Sequence, residues 1–125
     1  MFQEDKAIET AAAFLRKRPG WAMDYYDLVT LVYLADRHQL LTRRRTITRD
    51  EYQSLPWGMA GRRLLDAVRR SANDRWNAHV DTDHVNKRCT LVKDAPASAL
   101  SRADLASIET VWSEFGDLDG VTLMR

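Results

Sequence analysis

The sequence predicts a mainly α domain of the α+β class: a compact bundle of four to five helices around one central buried helix, with a small antiparallel β element. Three observations carry this reading. Residues 28–40, within a helix expected over about 24–41, are apolar on almost every side and then turn polar at Asp36-Arg37-His38, and a helix apolar all round in a chain of this kind is normally covered on several faces. Three further segments place apolar residues at helical spacing. Residues 84–93 instead alternate, with Val85, Lys87, Cys89 and Leu91 on one side of a would-be strand.

The first helix is expected over about residues 4–18, with Ile8, Ala11, Ala12 and Leu15 on one face. Arg16-Lys17-Arg18 would put cations in its last turn, where the helix dipole favours them, and Pro19-Gly20 would stop it. The second helix opens at Asp24, an N-cap residue, and continues to about 41. Leu28, Leu31, Val32 and Ala35 make one of its faces, and Tyr25, Val29 and Tyr33 a second. Residues 42–57 read as short strands or an ordered loop, although Thr48-Arg49-Asp50-Glu51 also fits a capping box. A third helix is expected over about 60–71, with Ala60, Leu64, Ala67 and Val68 on one face. The strand at 84–93 would pair with residues 76–80. The last full helix starts at Ser101, with Asp104 closing a capping box and Leu105, Ile108, Val111, Trp112 and Phe115 forming its stripe. Gly116 stands where a left-handed C-terminal residue belongs. A turn at 117–120 and an apolar element at 121–124 complete the chain.

A chain of 125 residues fits a single domain large enough to bury its own core. One cysteine excludes an internal disulfide framework and suits a reducing compartment. No apolar run approaches the length of a membrane helix, and the N-terminus is polar and acidic, so a cytoplasmic protein away from the membrane is expected. Nineteen basic against eighteen acidic residues leave a net charge of +1, which disfavours direct nucleic-acid binding. Four tryptophans serve cores and interfaces equally well.

No segment carries a catalytic signature. His79, Asp81, Asp83 and His84 are close in sequence but match no metal-ligand spacing, and they read as a polar loop between strands. Cys89 lies among Lys87, Arg88 and Lys93, which would activate a thiol, yet no histidine is marked as its partner. A strand cysteine half inside the core is the better reading. Asp36 and Arg37, at the polar end of a buried helix, are expected to form an ion pair or to cap a neighbouring turn. Arg43-Arg44-Arg45, Arg62-Arg63 and Arg69-Arg70 could bind phosphates if they converged, but nearby acids make a solvated surface the simpler expectation. No cofactor is expected.

Three separated motifs point the same way. They are Leu31-Val32-Tyr33-Leu34-Ala35-Asp36-Arg37, the segment Ile47-Thr48-Arg49-Asp50-Glu51-Tyr52-Gln53-Ser54-Leu55-Pro56-Trp57-Gly58, and Leu100-Ser101-Arg102-Ala103-Asp104-Leu105 running on to Phe115-Gly116-Asp117. In this order and spacing they resemble the Panacea domain family, the SocA-like antitoxins and phage-associated proteins, over roughly residues 5–120. Two positions depart from that pattern. Met59 stands where the family has a proline, and the helix that follows the Gly-Asp turn is cut short at Arg125. The resemblance implies one such domain over residues 1–125, no catalysis, and an antitoxin that binds and neutralises a cognate toxin protein by contact. A homodimer is a further assembly to consider. The alternatives are a phage or prophage accessory protein that binds a host factor, and a nucleic-acid-binding regulator. Aromatic and arginine side chains concentrate interface energy. The residues expected to contact a partner are therefore Trp21, Tyr26, Trp57, Arg62, Trp76 and Trp112.

Overall fold

The computed structural model describes residues 1–70 and 73–116. Over these residues the chain is α+β. The helices are α1 (Glu4–Leu15), α2 (Tyr25–Arg43), α3 (Arg62–Arg70), α4 (Asp74–His79) and α5 (Arg102–Phe115). Strands β1 (Ala22–Asp24), β5 (Arg88–Leu91) and β4 (Val80–Asp83) form one antiparallel sheet in that order, and β2 (Tyr52–Leu55) pairs with β3 (Gly58–Gly61) as a hairpin. The turn expected at 117–120 and the apolar element at 121–124 lie outside the described residues.

Helix α2 begins as its sequence dictates, with the Asp24 carboxylate accepting from the amides of Tyr26 and Asp27. It packs against α1, α3, α5, β1, β3 and β5, and buries Leu28, Val29, Leu31, Val32 and Ala35. Tyr33 instead stays half-buried and meets the Tyr52 ring edge-on at 5.1 Å. Helix α1 buries Ile8, Ala11, Ala12, Phe14 and Leu15 but ends at Leu15, before the three cations. Those cations reach across to other elements. Arg16 pairs with Asp94 at 2.6 Å, Lys17 with Glu109 at 2.5 Å, and Arg18 donates to the Gly116 carbonyl and lies 5.0 Å over the Trp112 ring.

Four buried carboxylates tie loops to helices, and each accepts main-chain N–H groups that would otherwise have no partner. Glu9 of α1 accepts from Ser98, Ala99 and Leu100. Asp36 of α2 accepts from the amides of Ile47 and Thr48 and from the Thr48 hydroxyl at 2.9, 3.0 and 2.5 Å. It therefore caps a neighbouring turn, one of the two roles expected for it. Asp50 accepts from Arg63 and Leu64 and so caps α3 from a distance. This contact requires Gly61: any Cβ there would run into the Asp50 carboxylate. Asp104 closes the capping box with Ser101 and also accepts from Lys6 and Gln39, joining α1, α2 and α5.

Several boundaries differ from expectation. The capping-box string at 48–51 starts no helix, because the Thr48 hydroxyl is committed to Asp36. Pairing of Gly58–Gly61 with β2 delays α3 to Arg62. Residues 74–79 form a short helix, capped by the Asn73 side chain, and not a strand, so the β4–β5 pairing starts at Val80 opposite Leu91. Gly116 is right-handed (φ −62°), not left-handed, and is retained by close packing: a Cβ would lie 2.5 Å from the Trp112 ring.

Asp104 makes the fold acid-sensitive. Burial alone would raise its pKa, but the Lys6 ammonium at 2.8 Å, the Ser101 amide and the Gln39 amide outweigh that and hold it below the usual carboxylate range. A depressed folded-state pKa contributes stability above the unfolded value, about 4, and loses it as pH falls through the folded value. Stability should therefore drop below about pH 4, and Asp104→Asn should flatten that slope in thermal melts between about pH 2 and 5. An unchanged slope would mean that folding does not lower the pKa of this carboxyl.

Candidate functional site

The first turn of α2 and the β2–β3 hairpin build an aromatic cluster. Gly58 has φ +141°, a conformation that favours glycine, and it lets the chain reverse after Pro56-Trp57. The reversal carries the Trp57 ring onto Tyr26, with centroids 4.8 Å apart and planes at 61°. Tyr25 meets Tyr26 edge-on at 4.4 Å, and the two hydroxyls lie 3.3 Å apart. Tyr25 is buried, whereas Tyr26 and Trp57 are half-buried and present part of their rings to solvent.

Two cations flank the cluster. The Lys87 ammonium sits 5.6 Å over the Tyr25 ring, and the Arg69 guanidinium lies against the Tyr26 hydroxyl. The hydrogen bond from Tyr25, together with Arg69, holds the Tyr26 phenol below its ordinary pKa, while burial pushes that of Tyr25 up. The result is a half-exposed aromatic pair beside positive charge. Chemically it can stack on a partner and accept carboxylates, which suits a protein surface with acidic groups.

Of the six residues singled out from sequence, the structure brings only Tyr26 and Trp57 into contact. Arg62 is exposed at the far end of the hairpin, where it pairs with Glu51 at 3.0 Å. Trp21, 41 % exposed, closes a 3-10 turn over Pro19–Trp21 with φ +55°. Trp112 is half-buried between Phe14 and Arg18. Trp76 must be removed from the candidate surface. At 1 % exposure it is one of the largest fully buried side chains, and it belongs to the hydrophobic core. Arg69 and Lys87 were missed as part of the cluster. The Tyr25-Tyr26 doublet was a visible signal, but nothing local shows which cations fold beside it.

The other candidates have structural roles. Cys89 is fully buried in β5, deeper than the half-buried position expected, and burial pushes its thiol up to about 12. Cys89 should therefore resist Ellman's reagent in the native chain and react fully in denaturant. Rapid native labelling would show that the strand opens. His79 donates its Nδ1–H to the Lys93 carbonyl at 2.8 Å. Asp83 caps its own turn at Val85 and Asn86. Among the described residues no three histidine, cysteine or carboxylate side chains gather where they could hold a metal ion. No helix there is long and apolar enough to cross a membrane.

A family model described as "Antitoxin SocA-like, Panacea domain" matches residues 28–125. The chain belongs to this family. The match begins inside α2, at Leu28, and takes in each motif from the second helix onward, so the Asp36–Thr48 anchor and the Asp104 box both lie within the Panacea region. Trp57 lies in it too, whereas Tyr25 and Tyr26 stand just before it. No curated protein and no solved structure matches the chain.

Proposed function

We propose that this Panacea-domain protein is an antitoxin that binds and neutralises a cognate toxin, working in the cytoplasm as a single domain over residues 1–125 and by contact alone. The observation that carries this reading is the family match over residues 28–125. It is supported by the half-exposed Tyr26–Trp57 pair beside Arg69 and Lys87. Phosphate-backbone binding by α3 has less support. Arg62 is engaged by Glu51, Arg70 lies 3.9 Å from Asp66, and Arg63 lies over the Phe2 ring.

Co-expression with the product of the adjacent gene tests the reading. That product should arrest growth alone, and this chain should restore growth and co-purify with it. Replacing both Tyr26 and Trp57 by alanine should weaken the complex by about 30- to 1,000-fold, since interface aromatics contribute about 1–2 kcal/mol each. The doubly substituted chain should still unfold cooperatively, at a lower melting temperature, which shows that the loss of binding is not a loss of fold. A neighbour that is harmless and does not bind removes the antitoxin reading. Undiminished affinity in the double variant removes this surface from it.

A further inference from the structure

A line of four hydrogen bonds starts at Lys6 of α1, crosses between α5 and α2, and ends at His38. Its direction is set at the Asp104 end. That carboxylate is fully buried and ionised beside Lys6, so it can only accept. Gln39 must therefore turn its Nε2 toward Asp104, which leaves its Oε1 for the Ser107 hydroxyl at 3.1 Å. Ser107 has one hydroxyl hydrogen, and it goes to Gln39. The Ser107 oxygen consequently accepts from His38, whose Nδ1 lies 2.9 Å away. The line thus places the proton of the neutral His38 ring on Nδ1 and leaves a lone pair on Nε2.

Nε2 has no partner among the described residues, and the half-buried ring that carries it stands in the wall of a cleft between α2 and α5. Leu34 and Leu41 of α2 and Val111 and Phe115 of α5 supply the apolar lining of this cleft, which measures about 150 Å³. An apolar cavity of that size holds one benzene-sized ring. Arg37 and Glu114 also line it, one charge of each sign, so charge does not choose the occupant. Volume and the fixed acceptor do. Leu41 is 73 % exposed, so the cleft opens beside a large apolar side chain.

We propose that this cleft takes a tyrosine side chain of a protein partner, with its ring against the four apolar residues and its phenol O–H donated to the His38 Nε2. Tyrosine joins a single six-membered ring to a hydrogen-bond donor. Leucine, methionine and phenylalanine would fill the volume but leave Nε2 covered and unpaired, which is unfavourable. The fused rings of tryptophan exceed a single-ring cleft. Lysine and arginine would bring a charge that apolar walls do not solvate. The open mouth decides between a side chain and a free phenol. It leaves part of the ring uncovered, so a small molecule gains little there, whereas a partner's backbone adds contact with Leu41. Ser107 and Gln39 are positioning residues, since they set the His38 ring and do not touch the tyrosine. The inference does not depend on the antitoxin reading and does not use the Tyr26–Trp57 surface.

Long-range proton–nitrogen NMR of the full chain at about pH 8 reads the His38 ring directly. The Nδ1–H form is expected, and the Nε2–H form would overturn the proposal. Titration with the capped peptide Gly-Gly-Tyr-Gly-Gly should shift the Leu34, Leu41 and Val111 signals saturably, and Gly-Gly-Phe-Gly-Gly should bind about fivefold or more weakly. That ratio reads the hydrogen bond itself. Ser107→Ala releases the Nδ1–H and should bring the ratio to about one, while the phenylalanine peptide binds as before. Glu114→Gln should keep the ratio, because the carboxylate is not the acceptor. Melting curves check each fold, and His38→Phe, at a half-buried position, carries the same expectation if Ser107→Ala does not fold. Neither peptide binding, both binding equally, a ratio that survives these substitutions, or one lost in Glu114→Gln would overturn the proposal. Binding of p-cresol without binding of the tyrosine peptide would also overturn it, by giving the cleft to a free phenol.

Discussion

Trp76→Ala is expected to lower the unfolding free energy by about 3–5 kcal/mol, as large-to-alanine changes in a packed core do. The side chain is 1 % exposed, and α4, which carries it, has few other means of staying in place. That helix is six residues long, too short to hold its own shape without packing. Its outer side is fastened to α1 by Arg75 on Glu4 and Asp5 and by the Asn73 amide on Glu4. These are partly exposed contacts of modest worth. Losing the indole therefore removes most of what positions α4, while the β4–β5 hairpin that follows it keeps its pairing with β1. Trp76→Phe supplies the control. The indole N–H has no hydrogen-bond partner, so phenylalanine gives up volume but no polar contact, and about 1–2 kcal/mol is expected. Urea denaturation of the three proteins checks both values. A Trp76→Ala loss below about 1 kcal/mol would contradict the buried placement.

The same residue shows where sequence reading stops. Trp76 sits between Arg75 and Asn77, in a stretch too short for a helical period to emerge, so an aromatic count offered an interface where packing supplied a core. Strand β1 was invisible for a similar reason. Three residues, Ala22, Met23 and Asp24, carry no alternation, and their strand character comes from Thr90, Cys89 and Arg88 across the ladder. Local chemistry, by contrast, was legible. Asp24 and the Ser101–Asp104 pair act on amides two or three residues away, so their roles can be read from spacing alone. Glu9 and Asp50 act across the fold, on Ser98 to Leu100 and on Arg63 and Leu64, and nothing beside them in sequence announces it. The aromatic cluster was half legible. Tyr26 and Trp57 could be named as exposed aromatics, but their contact depends on the reversal at Gly58, and the cations beside them depend on where α3 and the β4–β5 turn come to lie.

Asp36→Ala is expected to cost about 3–5 kcal/mol, because it strands three donors in a dry site. Asp36 is 1 % exposed, and its oxygens receive the Ile47 and Thr48 amides and the Thr48 hydroxyl. The damage would not stay local. The Thr48 hydroxyl oxygen in turn accepts from the Asp50 amide at 3.3 Å, and Asp50 caps α3. One carboxylate on α2 thus sets the loop that sets the start of the next helix, beside the hairpin that carries Trp57. Burial pushes the Asp36 carboxyl above its usual range despite these hydrogen bonds. A raised folded-state pKa means that the stability it provides is complete at low pH and falls as pH rises through that value. Asp36→Asn separates charge from hydrogen bonding. Its oxygen can still accept the two amides and its NH2 can donate to the Thr48 hydroxyl, without an ionisable group in the core. Chemical denaturation near neutral pH should therefore place Asp36→Asn close to the parent and Asp36→Ala far below it. If alanine and asparagine were equally damaging, the anchoring would depend on negative charge, and the hydrogen bonds to Ile47 and Thr48 would not be what holds that loop to α2.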